Sequence, residues 1–165
     1  MKKLIAAIAG TGTFALAALT LSSPAEAQYR EKITNDPGLC AAGKGPAVSV
    51  AITGIKESKG TIRIQSYRAT KQDWLEKGRW IYRMEAPAKA GTMRFCMPLP
   101  KAGHYGIAVR HDVDGDGETD IFGDGGAMSN DPSINLFNLG KPSYKKVGFD
   151  VGSGVENISI RMRYR

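Results

Sequence analysis

The stretch AVSVAITGIKESKGTIRIQ, residues 47–65, decides the fold class. Val48, Val50 and Ile52 alternate with Ala47, Ser49 and Ala51, and beyond the turn signals of TGIKESKG, Ile62 and Ile64 alternate with Arg63 and Gln65. A period of two sends successive side chains to opposite faces, so an apolar phase set against a small or polar one marks a half-buried strand. Downstream, WIYRME (80–85), TMRFCM (92–97), YGIAVR (105–110), YKKVGFDV (144–151) and ENISIRMRY (156–164) also read as strands. APAKAG and PLPKAG separate them, the second placing Pro98, Pro100 and Gly103 where the chain must turn. In the last run Ile158, Ile160, Met162 and Tyr164 share one face, and Ser159, Arg161, Arg163 and Arg165 the other.

The one helical candidate is TKQDWLEKG (70–78), at most two turns long, with Thr70 as N-cap, Asp73 three residues on and Gly78 as the stop. About seven short strands with one short helix predict an all-β fold, an antiparallel immunoglobulin-like β-sandwich over residues 47–165. Tyr67, Trp80, Tyr82, Phe95 and Phe149 are assigned to core and sheet packing. Residues 28–46, rich in glycine and proline, read as an irregular lead-in held only by Cys40.

Residues 1–27 read as a secretory signal peptide: Lys2 and Lys3, an apolar run from Leu4 to Leu21, then the small-x-small box Ala25-Glu26-Ala27. The interruption Gly10-Thr11-Gly12-Thr13 weighs against an uncleaved anchor, and no later segment could cross a membrane as a helix. Cleavage leaves one ordinary domain bound for the periplasm or the exterior. There an isolated cysteine pair, Cys40 and Cys96, is expected as a disulfide worth about 4 kcal/mol on chain-entropy grounds. Export argues against nucleic-acid partners despite a formal charge of +7.

Against that basic background, HDVDGDGETDIFGDGG (111–126) carries Asp112, Asp114, Asp116, Glu118, Asp120 and Asp124 with no lysine or arginine among them. Asp112-x-Asp114-x-Asp116-Gly117 reproduces the first half of an EF-hand calcium loop, where oxygens at alternate residues converge and a glycine at the sixth place permits the bend. Glu118 could offer a backbone carbonyl and Asp120 a carboxylate. The twelfth place, however, is Gly123, and a strand precedes the loop. The pattern is a calcium-type loop between strands, with Asp124, Asn130 or Asp131 as candidates to complete the shell. Two carboxylates about 5 Å apart repel by roughly 3 kcal/mol at an effective dielectric near 20, and oxygen-only ligands suit calcium better than zinc. A solvated acidic loop with no ion is the bland alternative.

The run LPKAGHYGIAVRHDVDGDGETDIFG (99–123) resembles the bacterial secreted domain-of-unknown-function family 2141 (DUF2141). Its members carry a proline-glycine turn, a strand ending in YAxxxxHD, a D-x-N-x-N-G-x-x-D loop and a glycine. The matching positions here are Leu99, Pro100, Gly103, Tyr105, His111, Asp112, Asp114, Asp116, Gly117, Asp120 and Gly123. The resemblance spans about residues 47–164. Aspartate replaces the usual asparagines at Asp114 and Asp116, and only Ser129 and Asn130 echo a segment that often follows the loop. The resemblance implies an exported sandwich and no activity.

Three functional readings follow. The first is a non-catalytic exported protein with a calcium-fixed loop, serving adhesion, envelope or carrier binding. The second is binding of an anionic envelope component, such as a glycan or phospholipid headgroup, through Arg63, Arg94, Arg110, Arg161 and Arg163 on outward strand phases. The third, a hydrolase using His111 with Asp112 and a serine such as Ser129, lacks any nucleophile signature.

Overall fold

The computed structural model describes residues 29–118, 120, 123–134 and 140–165; the signal-peptide reading falls on residues outside this set. Among the described residues the chain forms ten strands: β1 (Glu31–Lys32), β2 (Ala47–Ile55), β3 (Thr61–Arg68), β4 (Tyr82–Pro87), β5 (Gly91–Pro98), β6 (Gly103–Asp112), β7 (Gly125–Met128), β8 (Phe149–Val151), β9 (Val155–Arg161) and β10 (Arg163–Tyr164). One short α-helix, α1 (Tyr144–Val147), precedes β8, and a single 3-10 turn spans Pro37–Cys40. The larger sheet runs β1-β4-β3-β6-β7-β10, with β8 also pairing to β6, and the smaller runs β5-β2-β9.

The alternation in residues 47–65 does what its period requires. Val48, Val50 and Ile52 from β2 meet Ile62 and Ile64 from β3 in one buried cluster, joined by Met84, Phe95, Met97, Tyr105, Ile107, Val109 and Ile160. This core lies between the inner faces of the two sheets in a sandwich-like arrangement. Each fully buried aliphatic side chain there contributes about 1.5–3 kcal/mol. A second apolar cluster of Tyr67, Trp74, Trp80, Met128 and Val147 packs separately. Tyr67 and Met128 belong to the outward phases of β3 and β7, so this cluster covers part of the larger sheet's outer face. The Trp74 indole donates to the Pro142 carbonyl at 2.9 Å, tying the loop after β3 to the chain leading into α1.

The all-β expectation holds, with differences. Pairing is mixed rather than purely antiparallel, because β1 runs parallel to β4 and β2 parallel to β9. The stretch 70–78 is a series of turns rather than a helix. The Thr70 hydroxyl does accept from the Asp73 N–H as a cap and donates to the Asp73 carboxylate, but Leu75 adopts φ 54° and the chain turns away after the Trp74 N–H reaches the Thr70 carbonyl. The helix forms instead at the start of YKKVGFDV, where the Ser143 hydroxyl accepts from the Lys145 N–H and Val147 is fully buried. ENISIRMRY is two strands, β9 in the smaller sheet and β10 in the larger, with the Met162 N–H donating to the Thr53 carbonyl at the crossing.

The lead-in is held by more than Cys40. Arg30, Glu31 and Ile33 donate backbone N–H groups to the carbonyls of Trp80, Ile81 and Arg83, and the Tyr29 hydroxyl donates to Asp73. Cys40 and Cys96 form the expected disulfide, with Cα atoms 5.7 Å apart. Beside it the Asn35 amide donates to the Arg94 carbonyl and accepts from the Cys96 N–H, occupying the open edge of β5.

Candidate metal centre

Strand β6 delivers Asp112 to the end of the larger sheet, and the chain returns in β7 from Gly125. Asp112 is buried. Its Oδ1 accepts from the Gly115 N–H at 3.0 Å and its Oδ2 from the Gly117 N–H at 3.1 Å, so the carboxylate organises the turn that follows it. Asp114 accepts from the Asp116 N–H and Asp116 from the Glu118 N–H, continuing the curl in two-residue steps. Gly117 takes φ 84°, a left-handed conformation a side chain at this position would resist. The result brings one carboxylate oxygen each from Asp112, Asp114 and Asp116 within 4.8 Å of one another.

The loop's acids fall into two groups. Asp112 and Asp124 are buried, whereas Asp114, Asp116, Glu118 and Asp120 are exposed. Asp124 accepts from the Val113 N–H at 3.0 Å and the Asp120 N–H at 3.2 Å, closing the loop's two ends on each other. The buried pair has a cation: Arg110, one position before the acidic run, places Nη2 3.1 Å from Asp112 and Nε 3.5 Å from Asp124. Burial pushes the Asp112 carboxyl up, but the Arg110 guanidinium and the two glycine N–H groups outweigh it and hold it below its ordinary value. The exposed group has no lysine or arginine partner among the described residues. Negative charge on Asp116, then Asp114, Asp124 and Glu118, together with slight burial, raises the Asp120 carboxyl above its ordinary value.

This donor set fits calcium in its chemistry. It consists of hard oxygens, and each carboxylate oxygen that accepts one N–H retains a second lone pair. Asp112, Asp114 and Asp116 would hold the ion. The carboxylates of Glu118, Asp120 and Asp124 do not join that triplet. Asn130 and Asp131 turn elsewhere, the Asn130 amide donating to the Gly148 carbonyl and the Asp131 carboxylate accepting from the Arg161 N–H.

The other candidate residues scatter by sheet. Arg63, Arg110 and Arg163 lie along one register row of the larger sheet: Arg63 faces Arg110, Arg110 faces Gly126, and Gly126 faces Arg163. Arg94 and Arg161 project from β5 and β9 of the smaller sheet. His111 is fully buried, with one ring nitrogen 2.7 Å from the Tyr164 hydroxyl and the other 2.7 Å from the Lys59 carbonyl. Ser129 is equally buried and donates to the Val147 carbonyl. Both groups serve the fold's internal hydrogen bonding. Lys32, Arg83 and Glu85, which cluster beside Arg63, carried no motif, since only strand pairing brings them together.

Among the described residues no helix is long and apolar enough to cross a membrane. Neither curated proteins nor solved structures yield a match to this chain. A bacterial family described as "Uncharacterized protein conserved in bacteria" (DUF2141) matches residues 50–159, from the second half of β2 through most of β9. With the loop and most of both sheets inside that span, the chain belongs to the DUF2141 family.

Proposed function

We propose that this chain is an exported, non-catalytic β protein whose loop from Asp112 to Asp124 takes up calcium to fix the connection between β6 and β7. The observation that carries the reading is the convergence of Asp112, Asp114 and Asp116 oxygens within 4.8 Å, achieved by a backbone that curls around them. Export is supported by the signal-like N-terminus and by the Cys40–Cys96 disulfide, which belongs to an oxidising compartment. The test is a thermal melt of the mature protein in EDTA and in calcium, repeated for Asp112→Ala and Asp116→Ala. A ligand that binds the native state alone raises its melting temperature. We expect a calcium-dependent rise that both substitutions abolish; an unchanged melt would leave the loop a plain turn.

A second reading is favoured by the row of Arg63, Arg110 and Arg163 across the larger sheet. Arg63 and Arg110 stand directly opposite one another, each with acidic partners of its own, and with Arg163 they give this face a basic row that would attract an anionic glycan or lipid headgroup of the envelope. Binding that falls steeply with added salt supports this reading, and salt-independent binding removes it.

A further inference from the structure

At the β1 edge of the larger sheet one carboxylate faces three cations. Glu85 lies 2.7 Å from Arg63 Nε, 3.8 Å from Arg83 Nη1 and 3.8 Å from Lys32 Nζ. The pairing explains the convergence: Arg63 sits opposite Glu85, Gln65 opposite Arg83, and Lys32 beside Arg83 on β1. Because Ile62, Ile64 and Met84 point into the core, Arg63, Gln65, Arg83 and Glu85 all rise from the outer face. Arg63 and Arg83 are the sheltered members, with side chains 22% and 20% exposed. Arg83 is the least satisfied. Its guanidinium stacks on the Trp80 ring at 4.3 Å, and its buried Nε has no acceptor among the described residues. Partial burial, then the charge of Arg63, lower the Arg83 pKa against the opposing pull of Glu85.

We propose that Lys32, Arg63 and Arg83, with the Gln65 amide, form a binding site for a phosphoryl group on the outer face of β1, β3 and β4. The proposal deepens the anionic-partner reading and rests on it. Its chemistry follows from the surplus. Three cations against one carboxylate leave two positive charges. A single further carboxylate would balance only one, whereas a phosphoryl group carries up to two and offers three acceptor oxygens to separate donors. Trp80 holds the Arg83 fork in place before any ligand arrives, which lowers the entropy cost of binding.

The test titrates the mature protein with inorganic phosphate while the arginine Nε–H resonances are followed by NMR, with parallel flotation on phosphatidylcholine vesicles with and without phosphatidic acid, a phosphomonoester. We expect Arg63 and Arg83 to shift with phosphate while Arg94, on the other sheet, does not. Arg83→Gln should weaken binding about tenfold and Arg83→Lys by less, while the charge-matched Arg94→Gln leaves it unchanged. Flotation on phosphatidic acid that depends on Arg83, without a response to free phosphate, identifies a lipid headgroup as the phosphoryl source and also supports the site. Equal weakening by Arg83→Gln and Arg94→Gln would show general charge attraction and overturn it. Binding indifferent to Arg83→Gln would sink this site while leaving a basic face in play. No response to either probe would remove both.

Discussion

The Tyr164 hydroxyl lies 2.7 Å from Nδ1 of His111, a histidine with no exposed surface. The other ring nitrogen, Nε2, meets the Lys59 carbonyl, which can only accept, so Nε2 carries the proton and Nδ1 is the acceptor. Tyr164 therefore donates to His111 and accepts from the Lys56 N–H at 3.1 Å. This chain ties the β2–β3 turn, β6 and β10 together. Tyr164→Phe leaves Nδ1 buried and unsatisfied, which costs about 1–3 kcal/mol. Urea denaturation checks it, and an unchanged midpoint would mean the bond contributes nothing.

Asp112 gives the fold an acid limb. Its pKa in the folded chain is lowered, so its contribution is fully present above the ordinary aspartate value of about 4 and is lost as pH falls through the lower folded value. Stability measured from pH 6 to pH 2 should fall across that window. In Asp112→Asn this component of the slope should vanish, with the variant already less stable at neutral pH. Parallel slopes for the two proteins would show that Asp112 is not the group responsible.

The Cys40–Cys96 bridge and Asn35 together protect the β5 edge. Replacing both cysteines by alanine should cost about 4 kcal/mol on chain-entropy grounds. Hydrogen exchange should localise the loosening: the Cys96 amide and its β5 neighbours speed up, while Ile64 in β3 and Val109 in β6 keep their protection relative to global unfolding. If β5 lost no more protection than Ile64 and Val109, the bridge would act only through the unfolded chain and would not hold the β5 edge locally.

What could be read in the sequence was whatever a single face dictates. β2, β3, β6 and β9 alternate because one side of each meets the core, and the aspartate spacing announced the loop because a curl around one centre needs it. Choices made by distant partners left no local mark. The parallel pairing of β9 with β2 depends on neighbours far apart in the chain, and Val147 turns YKKV into a helix because the pocket beside Trp74 accepts it. The Arg110–Asp112 pair was half legible, since residues two apart on a strand share a face; Asp124 joins them only through the closure of the loop. β7 was missed because GGAM has no strand propensity.

The missing side chains of β7 have separate causes, and they can be told apart. A Cβ on Gly125 would clash with Cε1 of Tyr164, so the ring lies where a side chain would be. A Cβ on Gly126 would meet nothing within 4 Å. Gly125→Ala must push Tyr164 away and disturb its bond to His111, at a cost of about 1–3 kcal/mol from overpacking. Gly126→Ala, free of any clash and reducing the entropy of the unfolded chain, should be neutral or stabilising by about 0.5 kcal/mol. Melting the two variants side by side separates these roles. If Gly125→Ala were tolerated as well as Gly126→Ala, the Tyr164 ring would not be fixed over β7, and the network it anchors to His111 would have to be looser than its distances imply.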